Sequence, residues 1–273
     1  MAILNHNFSF PTMKKYLFLF AFSISFTFQV FAQDDAAELA KKLANPIASL
    51  ISVPFQNNTD YGIGTFRGSR NTLNFQPVVP VAINENLNMI TRVVLPIITQ
   101  YNVTGEGQKQ NGVGDAVMSA FFSPTNSKKL TWGVGPALLL PIGSQDFTAK
   151  KFGVGPTAVA LKQFNGWTVG GLINQIWSIA GDESHTDVSQ MFLQPFVVYN
   201  WKSGAGVGAN MEWTRNWKAS RSVVWLNPTL SAVTAMGKQK VQFAIGPRFN
   251  LAAPDAAKAD WGWRAVIVLL FPK

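Results

Sequence analysis

The chain has 273 residues, of which 14% are charged and 12% aromatic, and its formal net charge is +9 at pH 7. The basic residues are scattered and form no run, so the charge does not indicate nucleic-acid binding. No internal segment approaches the ~20 consecutive apolar residues of a membrane-spanning helix. The 22 glycines and 9 tryptophans favour many short strands with much surface facing something other than water.

The N-terminus predicts a signal peptide. Lys14 and Lys15 precede an apolar block over residues 16–28, and Val30-Phe31-Ala32 resembles a small-residue cleavage site. We therefore expect residues 1–32 to be removed after Ala32, with Met13 as a second candidate for the start of the chain. A membrane anchor helix is the alternative, and the polar residues within the block argue against it. The absence of cysteine agrees with export through an oxidising compartment.

One helix is predicted after the leader, over Asp34–Ala44, where acidic residues come first and lysines later, as the helix dipole prefers. Asn45-Pro46 ends it. We interpret residues 33–46 as an N-terminal periplasmic helix or stub; a plug inside a barrel is the alternative.

The remainder, residues 47–273, predicts strands separated by intervals that alternate between long loops and tight turns. This asymmetry is typical of outer-membrane barrels, which have short periplasmic turns and longer outer loops. The predicted fold is therefore all-β: a transmembrane antiparallel up-and-down β-barrel of about 12 strands, with both termini in the periplasm. The strands are expected at residues 47–57, 71–83, 87–101, 113–123, 130–141, 153–163, 167–180, 188–201, 205–215, 222–236, 239–252 and 261–272.

The last strand, Trp261–Phe271, has a period of two and sends one uninterrupted apolar set to a single face, with aromatic residues at both ends. Such a face suits lipid, although a core strand of a soluble sandwich is the alternative from this segment alone. The tryptophans favour the barrel, because they fall near predicted strand ends, where a membrane-interface belt would place them. The periplasmic belt would hold Trp132, Trp167 and Trp201, and the outer belt Trp177, Trp213, Trp225, Trp261 and Trp263.

Seven prolines lie inside the predicted strands, where each removes a donor from the hydrogen-bond ladder. A closed barrel has no edge strand to hold them, so we predict β-bulges or bends at these sites. They are Pro77, Pro96, Pro136, Pro156, Pro195, Pro228 and Pro247.

Charged residues inside the strands should point into the lumen, because a charge facing lipid at the midplane costs about 2–4 kcal/mol. They could pair across the interior and rigidify it, or select solutes. Arginine is in slight excess, which favours anionic solutes such as aromatic carboxylates. These candidate lumen-lining residues are Arg92, Asp115, Glu212, Arg248 and Arg264.

We predict no catalytic residue, no metal site and no cofactor. His185 lies beside Ser184 and Asp187 in one predicted loop, whereas a hydrolase needs its nucleophile and base fixed on rigid elements. A membrane-embedded lipid hydrolase is therefore the less favoured alternative.

Several segments resemble the family of outer-membrane transporters named for the meta pathway of phenol degradation. They include Leu43–Gly62 (LANPIASLISVPFQNNTDYG), Trp132–Pro141 (WGVGPALLLP), Asn174–Gly181 (NQIWSIAG) and Leu269–Lys273 (LLFPK). The resemblance spans most of the mature chain. It implies a transporter-like β-barrel and an association with the breakdown of aromatic compounds, and it carries over no binding residue.

The sequence thus predicts a barrel in a bacterial outer membrane that takes up small solutes passively, aromatic or hydrophobic ones among them. The alternative is a structural or interaction barrel that acts through its external loops. The expected partners are the lipid bilayer and lipopolysaccharide, a small-molecule solute and, during assembly, the barrel-insertion machinery; no nucleic acid is expected.

Overall fold

A computed structural model describes residues 33–127 and 129–272. The predicted signal peptide, its cleavage site and the candidate start at Met13 lie outside the described residues. The described chain comprises one α-helix, α1 (Gln33–Leu43), two short 3-10 helices (Gln145–Phe147 and Asp255–Ala257) and twelve strands, two of which are interrupted. The strands are β1 (Ile51–Ile63), β2 (Gly68–Phe75 and Val78–Asn84), β3 (Leu87–Tyr101), β4 (Lys109–Val113 and Ala116–Pro124), β5 (Thr131–Leu140), β6 (Lys151–Phe164), β7 (Trp167–Gly181), β8 (Ser189–Asn200), β9 (Ala205–Asn216), β10 (Arg221–Met236), β11 (Gln239–Ala252) and β12 (Trp261–Phe271).

The strands form a closed barrel. Each pairs antiparallel with its neighbours in sequence, and β12 returns to β1 in a continuous register from Ile51 opposite Phe271 to Tyr61 opposite Trp261. The predicted twelve-stranded antiparallel barrel is confirmed. Among the described residues, no helix is long and apolar enough to cross a bilayer.

The first strand differs from its predicted position. β1 begins at Ile51 and continues to Ile63, because the preceding residues form tight turns in which the Asn45 side chain accepts a hydrogen bond from the Ile47 amide at 3.0 Å. Ile47 is 4% exposed and packs among inward-facing apolar side chains. The extension of β1 reduces the first outer loop to Gly64–Arg67, so this loop is short.

Side chains alternate between the two faces of the wall. The outward set is apolar and solvent-exposed in mid-strand, as a lipid-facing wall requires; it includes Val134, Val169, Ile173, Leu230, Ile245 and Ile267. Tryptophans lie at the ends of these outward faces. Trp132, Trp167 and Trp201 are exposed at the short-turn end, while Trp177 and Trp261 are exposed at the loop end, where Trp261 stacks on Tyr61 with ring centres 4.7 Å apart.

The predicted outer belt needs one correction, at Trp225. Its partner in β9 is Glu212, which lines the interior, and paired residues share a face of the sheet. Trp225 therefore faces inward, whereas its neighbours Leu226 and Leu230 face lipid. Trp213 and Trp263 have the outward parity of their strands, on the same faces as exposed Val207 and Ile267.

Prolines interrupt the ladder mostly without bulges. The β8–β9 pairing, for example, skips from Leu193 opposite Trp213 to Phe196 opposite Asn210 and resumes in the same register across Pro195. Gaps of the same kind lie at the other prolines except Pro96. Only opposite Pro96 does the register shift by one residue, between Val113–Ile97 and Val117–Val94 pairs. A bulge is thus found at Pro96 alone; at the other six sites the ladder is interrupted without a shift of register, and the predicted bend stays a prediction.

From β4 to β12 these gaps occur at every second seam, where a seam is the hydrogen-bonded boundary between two neighbouring strands. The β4–β5, β6–β7, β8–β9 and β10–β11 seams are interrupted, while β5–β6, β7–β8, β9–β10 and β11–β12 pair without a gap. Glycines allow the chains to approach at the gaps: a Cβ on Gly155 would lie 1.7 Å from the Gln175 carbonyl oxygen.

Helix α1 packs against the inner wall at the short-turn end. Its buried residues Leu39 and Ala40 join an apolar cluster with wall residues Leu50, Val233, Val268 and Leu270. The carbonyls in the last turn of a helix have no partner within it, and here the wall donates to two of them, of which the Ala40 carbonyl also accepts from the Ala44 amide just after the helix. Gln163 donates to the Lys41 carbonyl at 2.8 Å, and Asn200 donates to the Ala40 carbonyl at 3.3 Å. The helix is therefore held inside the barrel mouth by both apolar and polar contacts.

Candidate functional site

The barrel interior contains two adjoining cavities. The first, here the central cavity, has a volume of about 220 Å³. The second, here the helix-side cavity, has a volume of about 230 Å³ and lies beside the end of α1. Four side chains line both cavities and therefore lie where the two meet: Gln56, Gln76, Arg92 and Gln194.

The central cavity has an apolar and a polar part. Its apolar lining consists of Val94, Val117, Phe121, Leu172, Ile176 and Phe192. Its polar lining is mainly carboxamide, with Arg92 and Glu212 as the charged members. Carboxamides supply both donors and acceptors, so the cavity can hydrogen-bond a solute of either polarity while an apolar surface holds its hydrocarbon part.

Arg92 is the charged side chain at the junction of the two cavities. Its Nη2 donates to Gln76 Oε1 at 2.7 Å. Its position on β3 is opposite Ser119 of β4 and Val78 of β2. The ion pairs of the described residues do not include Arg92, so its charge is balanced only at longer range by Glu212.

Arg264 and Glu212 form an ion pair across the interior. Arg264 Nη2 donates to Glu212 Oε1 at 2.8 Å, and Arg264 Nε donates to Asn58 Oδ1 at 2.8 Å. The Arg264 side chain is 2% exposed and that of Glu212 17%. The two strands that hold them, β9 and β12, are separated by β10 and β11, so this pair ties together strands that are not neighbours in the wall.

Arg248 lies over an aromatic ring. Its guanidinium carbon is 4.3 Å from the centre of the Trp225 ring, within cation–π range. Its Nε is 3.1 Å from Asp60 Oδ1, but the angle does not make a hydrogen bond, and Arg248 Nε and Nη1 have no hydrogen-bond partner among the described residues. The pairing with Asp60 is therefore electrostatic.

Sequence reasoning did not find Asp60 or Arg70, because both fall in what was predicted to be an outer loop. In the structure they are paired residues of β1 and β2. Arg70 Nε donates to Gln100 Oε1 at 2.8 Å, and Gln100 donates in turn to Gln110 at 2.6 Å. The alternation of Gln56, Asn58 and Asp60 was the signal that β1 continued beyond residue 57.

Asp115 lies apart from this group. It sits between the two segments of β4, and its carboxylate accepts hydrogen bonds from the Gly143 amide at 3.0 Å and the Ala149 amide at 2.7 Å. Both amides belong to the outer loop between β5 and β6. Asp115 therefore anchors a loop, and the structure gives it no contact with the arginines of the lumen.

The loop around His185 has the residues of a hydrolase without their arrangement. Ser184 Oγ lies 3.2 Å from His185 Nδ1, and Asp182 Oδ2 lies 3.3 Å from the same nitrogen. A catalytic relay needs the hydroxyl and the carboxylate on different ring nitrogens, so this trio does not form one. Within residues 33–127 and 129–272, no group of acidic or histidine residues is placed to hold a metal ion.

No family model matches the sequence, and no curated protein matches it. Among solved structures, an outer membrane channel from Pseudomonas putida F1 is similar, with a TM-score of 0.63 and 17% identity over 81% of this chain and 94% of that chain. The two proteins share the closed antiparallel β-barrel fold. A loop-deletion variant of OmpT from Vibrio cholerae gives a TM-score of 0.41, with 7% identity over 81% of this chain and 98% of that one. The transport unit of the autotransporter AIDA-I from Escherichia coli gives 0.40, with 7% identity over 90% and 100%.

The closed antiparallel wall also fixes the compartment. A barrel of twelve strands with an apolar outer face and aromatic residues at both ends is suited to a bilayer, and such barrels belong to bacterial outer membranes. The protein is therefore an outer-membrane β-barrel. The short turns and α1 lie at the same end of this barrel, and the placement of that end in the periplasm stays a prediction.

Proposed function

We propose that this barrel is a passive channel for the uptake of small solutes, aromatic or hydrophobic ones among them. The observation that carries the proposal is the pair of adjoining cavities inside a closed wall, joined at Gln56, Gln76, Arg92 and Gln194. A barrel that acted only as a scaffold for its outer loops would not require cavities lined by hydrogen-bonding side chains in its interior.

The apolar lining of the central cavity supports the solute class. A molecule with a ring or short hydrocarbon part can lie against Phe121, Leu172 and Phe192 while its polar group meets the carboxamides. The resemblance to transporters named for phenol degradation agrees with this class. We further propose that the outward wall contacts lipid and lipopolysaccharide and that the barrel-insertion machinery assembles it.

Reconstitution tests the proposal. The folded barrel should give single-channel conductance in planar bilayers and should admit phenol into liposomes faster than protein-free vesicles do. A barrel that is folded by its heat-dependent gel mobility but passes neither ions nor solute would refute the channel.

A pair of variants on β8 sharpens the test. Gln194→Ala removes a side chain shared by both cavities and should raise conductance. Val197→Ala shortens an outward side chain of the same strand, which is 36% exposed, and should leave conductance unchanged. Equal effects of the two variants would mean that solutes do not pass the Gln194 junction.

The enzymatic alternative has its own control. His185→Ala should leave both conductance and lipid composition unchanged, since the Ser184–His185–Asp182 contacts do not form a relay.

A further inference from the structure

Two of the arginines in the barrel interior lie directly beside an acid, whereas a third, which lines the cavities, is balanced by an acid only at longer range. Arg264 pairs with Glu212 and Arg248 lies beside Asp60. Arg92 has a single hydrogen bond, to the neutral side chain of Gln76. A guanidinium carries five N–H donors, so most of its capacity is unused by the described residues. The Arg92 side chain is half-buried, and a charge that is partly removed from water is stabilised by a partner of opposite sign.

The position of Arg92 makes this capacity available to a solute. It lines both the central and the helix-side cavity, together with three glutamines that carry no charge. Any anion that moves between the cavities must pass its guanidinium, which matches the two oxygens of a carboxylate in a planar, bidentate manner.

An apolar surface lies in the same cavity. Val94, on the same strand as Arg92, and Phe192, Leu172 and Ile176 on β8 and β7 all line it. Its volume of about 220 Å³ is below the ~300–1,000 Å³ of sites for drug-sized ligands. The cavity therefore suits a single small molecule with one charged end and one hydrocarbon end.

We infer that Arg92 is the binding centre for the carboxylate of a small amphiphilic anion, such as a one-ring aromatic acid, held with its hydrocarbon part against the apolar lining of the central cavity. This inference rests on the proposed channel function and narrows its solute class from small solutes in general to monocarboxylates. It also gives Gln76 a role, since its hydrogen bond holds the guanidinium in place between the cavities.

The test compares a charged solute with a neutral one of the same shape. Benzoate and benzyl alcohol are measured for entry into liposomes that contain the barrel. The wild-type protein should admit benzoate more readily. Arg92→Gln should lower benzoate entry by about tenfold, equivalent to about 1.4 kcal/mol, and leave benzyl alcohol entry unchanged. Arg92→Lys keeps the charge and loses the planar guanidinium. Its rate of benzoate entry should lie between those of the wild type and Arg92→Gln.

Arg67→Gln is the matched control. It removes the same charge from an arginine that pairs with Asp260 at the barrel rim and is 76% exposed, and both entry rates should stay at the wild-type level. The inference is overturned if Arg92→Gln changes the two solutes equally or not at all, or if Arg67→Gln reproduces its effect.

A second measurement separates this inference from the proposed function. Benzoate binding to the detergent-solubilised barrel is followed by calorimetry, with benzyl alcohol as reference. If the barrel passes no solute yet binds benzoate through Arg92, the channel proposal fails and the site stands. If it conducts ions but neither binds nor prefers benzoate, the site fails and the channel stands. Should Arg92→Gln not fold, Arg92→Lys in the binding assay decides, because a structural role alone would leave benzoate affinity unchanged.

Discussion

Removal of the Glu212 carboxylate should destabilise the barrel strongly. Arg264 is 2% exposed, and its Nη2 donates a hydrogen bond to Glu212 Oε1 at 2.8 Å. Glu212→Ala removes this acceptor and leaves the guanidinium charge without its partner. At this distance and an effective dielectric constant of ~20, the Coulomb attraction is about 6 kcal/mol. Part of it is offset by the desolvation of both ions, and breaking a buried pair by removing one partner typically costs about 3–5 kcal/mol. We expect a loss near the lower end of this range, because Arg264 keeps its hydrogen bond to Asn58.

The measurement is the free energy of unfolding in lipid vesicles by guanidinium titration, followed by tryptophan fluorescence. Glu212→Gln retains an acceptor oxygen and should lose less than Glu212→Ala. Asp255→Ala removes one acidic charge from an exposed turn and should stay within about 0.5 kcal/mol of wild type. The double change Glu212→Leu with Arg264→Met should recover most of the loss, since no ion is then left unpaired. A Glu212→Ala loss below about 1 kcal/mol, or no recovery in the double variant, would refute the reasoning.

Three further outcomes are expected. Trp225→Ala should lower the free energy of unfolding by about 2 kcal/mol or more, because it removes buried surface and the cation–π contact with Arg248. Trp225→Phe keeps an aromatic ring and should lower it clearly less. Equal decreases in the two variants would contradict a cation–π contribution. Asp115→Ala should speed protease cleavage of the β5–β6 loop, because the Gly143 and Ala149 amides lose their acceptor, whereas Asp146→Ala in that loop should not. The hydrogen bond from Lys151 and then its charge lower the pKa of Asp187. Because the pKa of Asp187 is lower in the folded state, its ionised carboxylate stabilises the loop at any pH above the unfolded pKa of about 3.9. This stabilisation is lost as the pH falls through the folded pKa. The Val188 amide donates to Ser178 Oγ, which donates in turn to the Asp187 carboxylate. The protection factor of the Val188 amide, corrected for the intrinsic exchange rate, should therefore fall only below about pH 4, and Asp187→Asn should abolish that dependence.

The barrel itself could be predicted because its physical signals are local. Trp261–Phe271 alternates along its whole length, and the observed β12 occupies the same residues. The predicted start of β1 was wrong because a side chain, and not a neighbouring strand, accepts a backbone hydrogen bond there. Ile47 has the apolar character of a strand residue, but the Asn45 side chain holds its amide in a turn and its own side chain is buried in the lumen.

The interior was harder to predict than the wall. Trp225 lies at a strand end like the belt tryptophans, and only its parity relative to Leu226 and Leu230 distinguishes lumen from lipid. Which charges pair depends on distances across the barrel: Glu212 and Arg264 are 52 residues apart in the chain, and no local pattern connects them. The same holds for Asp115, whose partners belong to a loop whose path the sequence does not specify.

The alternate gaps from β4 to β12 divide this part of the wall into stiff and compliant seams. Four hairpins pair without a gap, and each should move as a rigid unit: β5–β6, β7–β8, β9–β10 and β11–β12. The proline-interrupted seams between them have fewer hydrogen bonds to bend and should act as lines of flexure. We therefore expect the cross-section to deform between round and oval without breaking the hairpins, so that the width of the lumen can change while the wall stays closed.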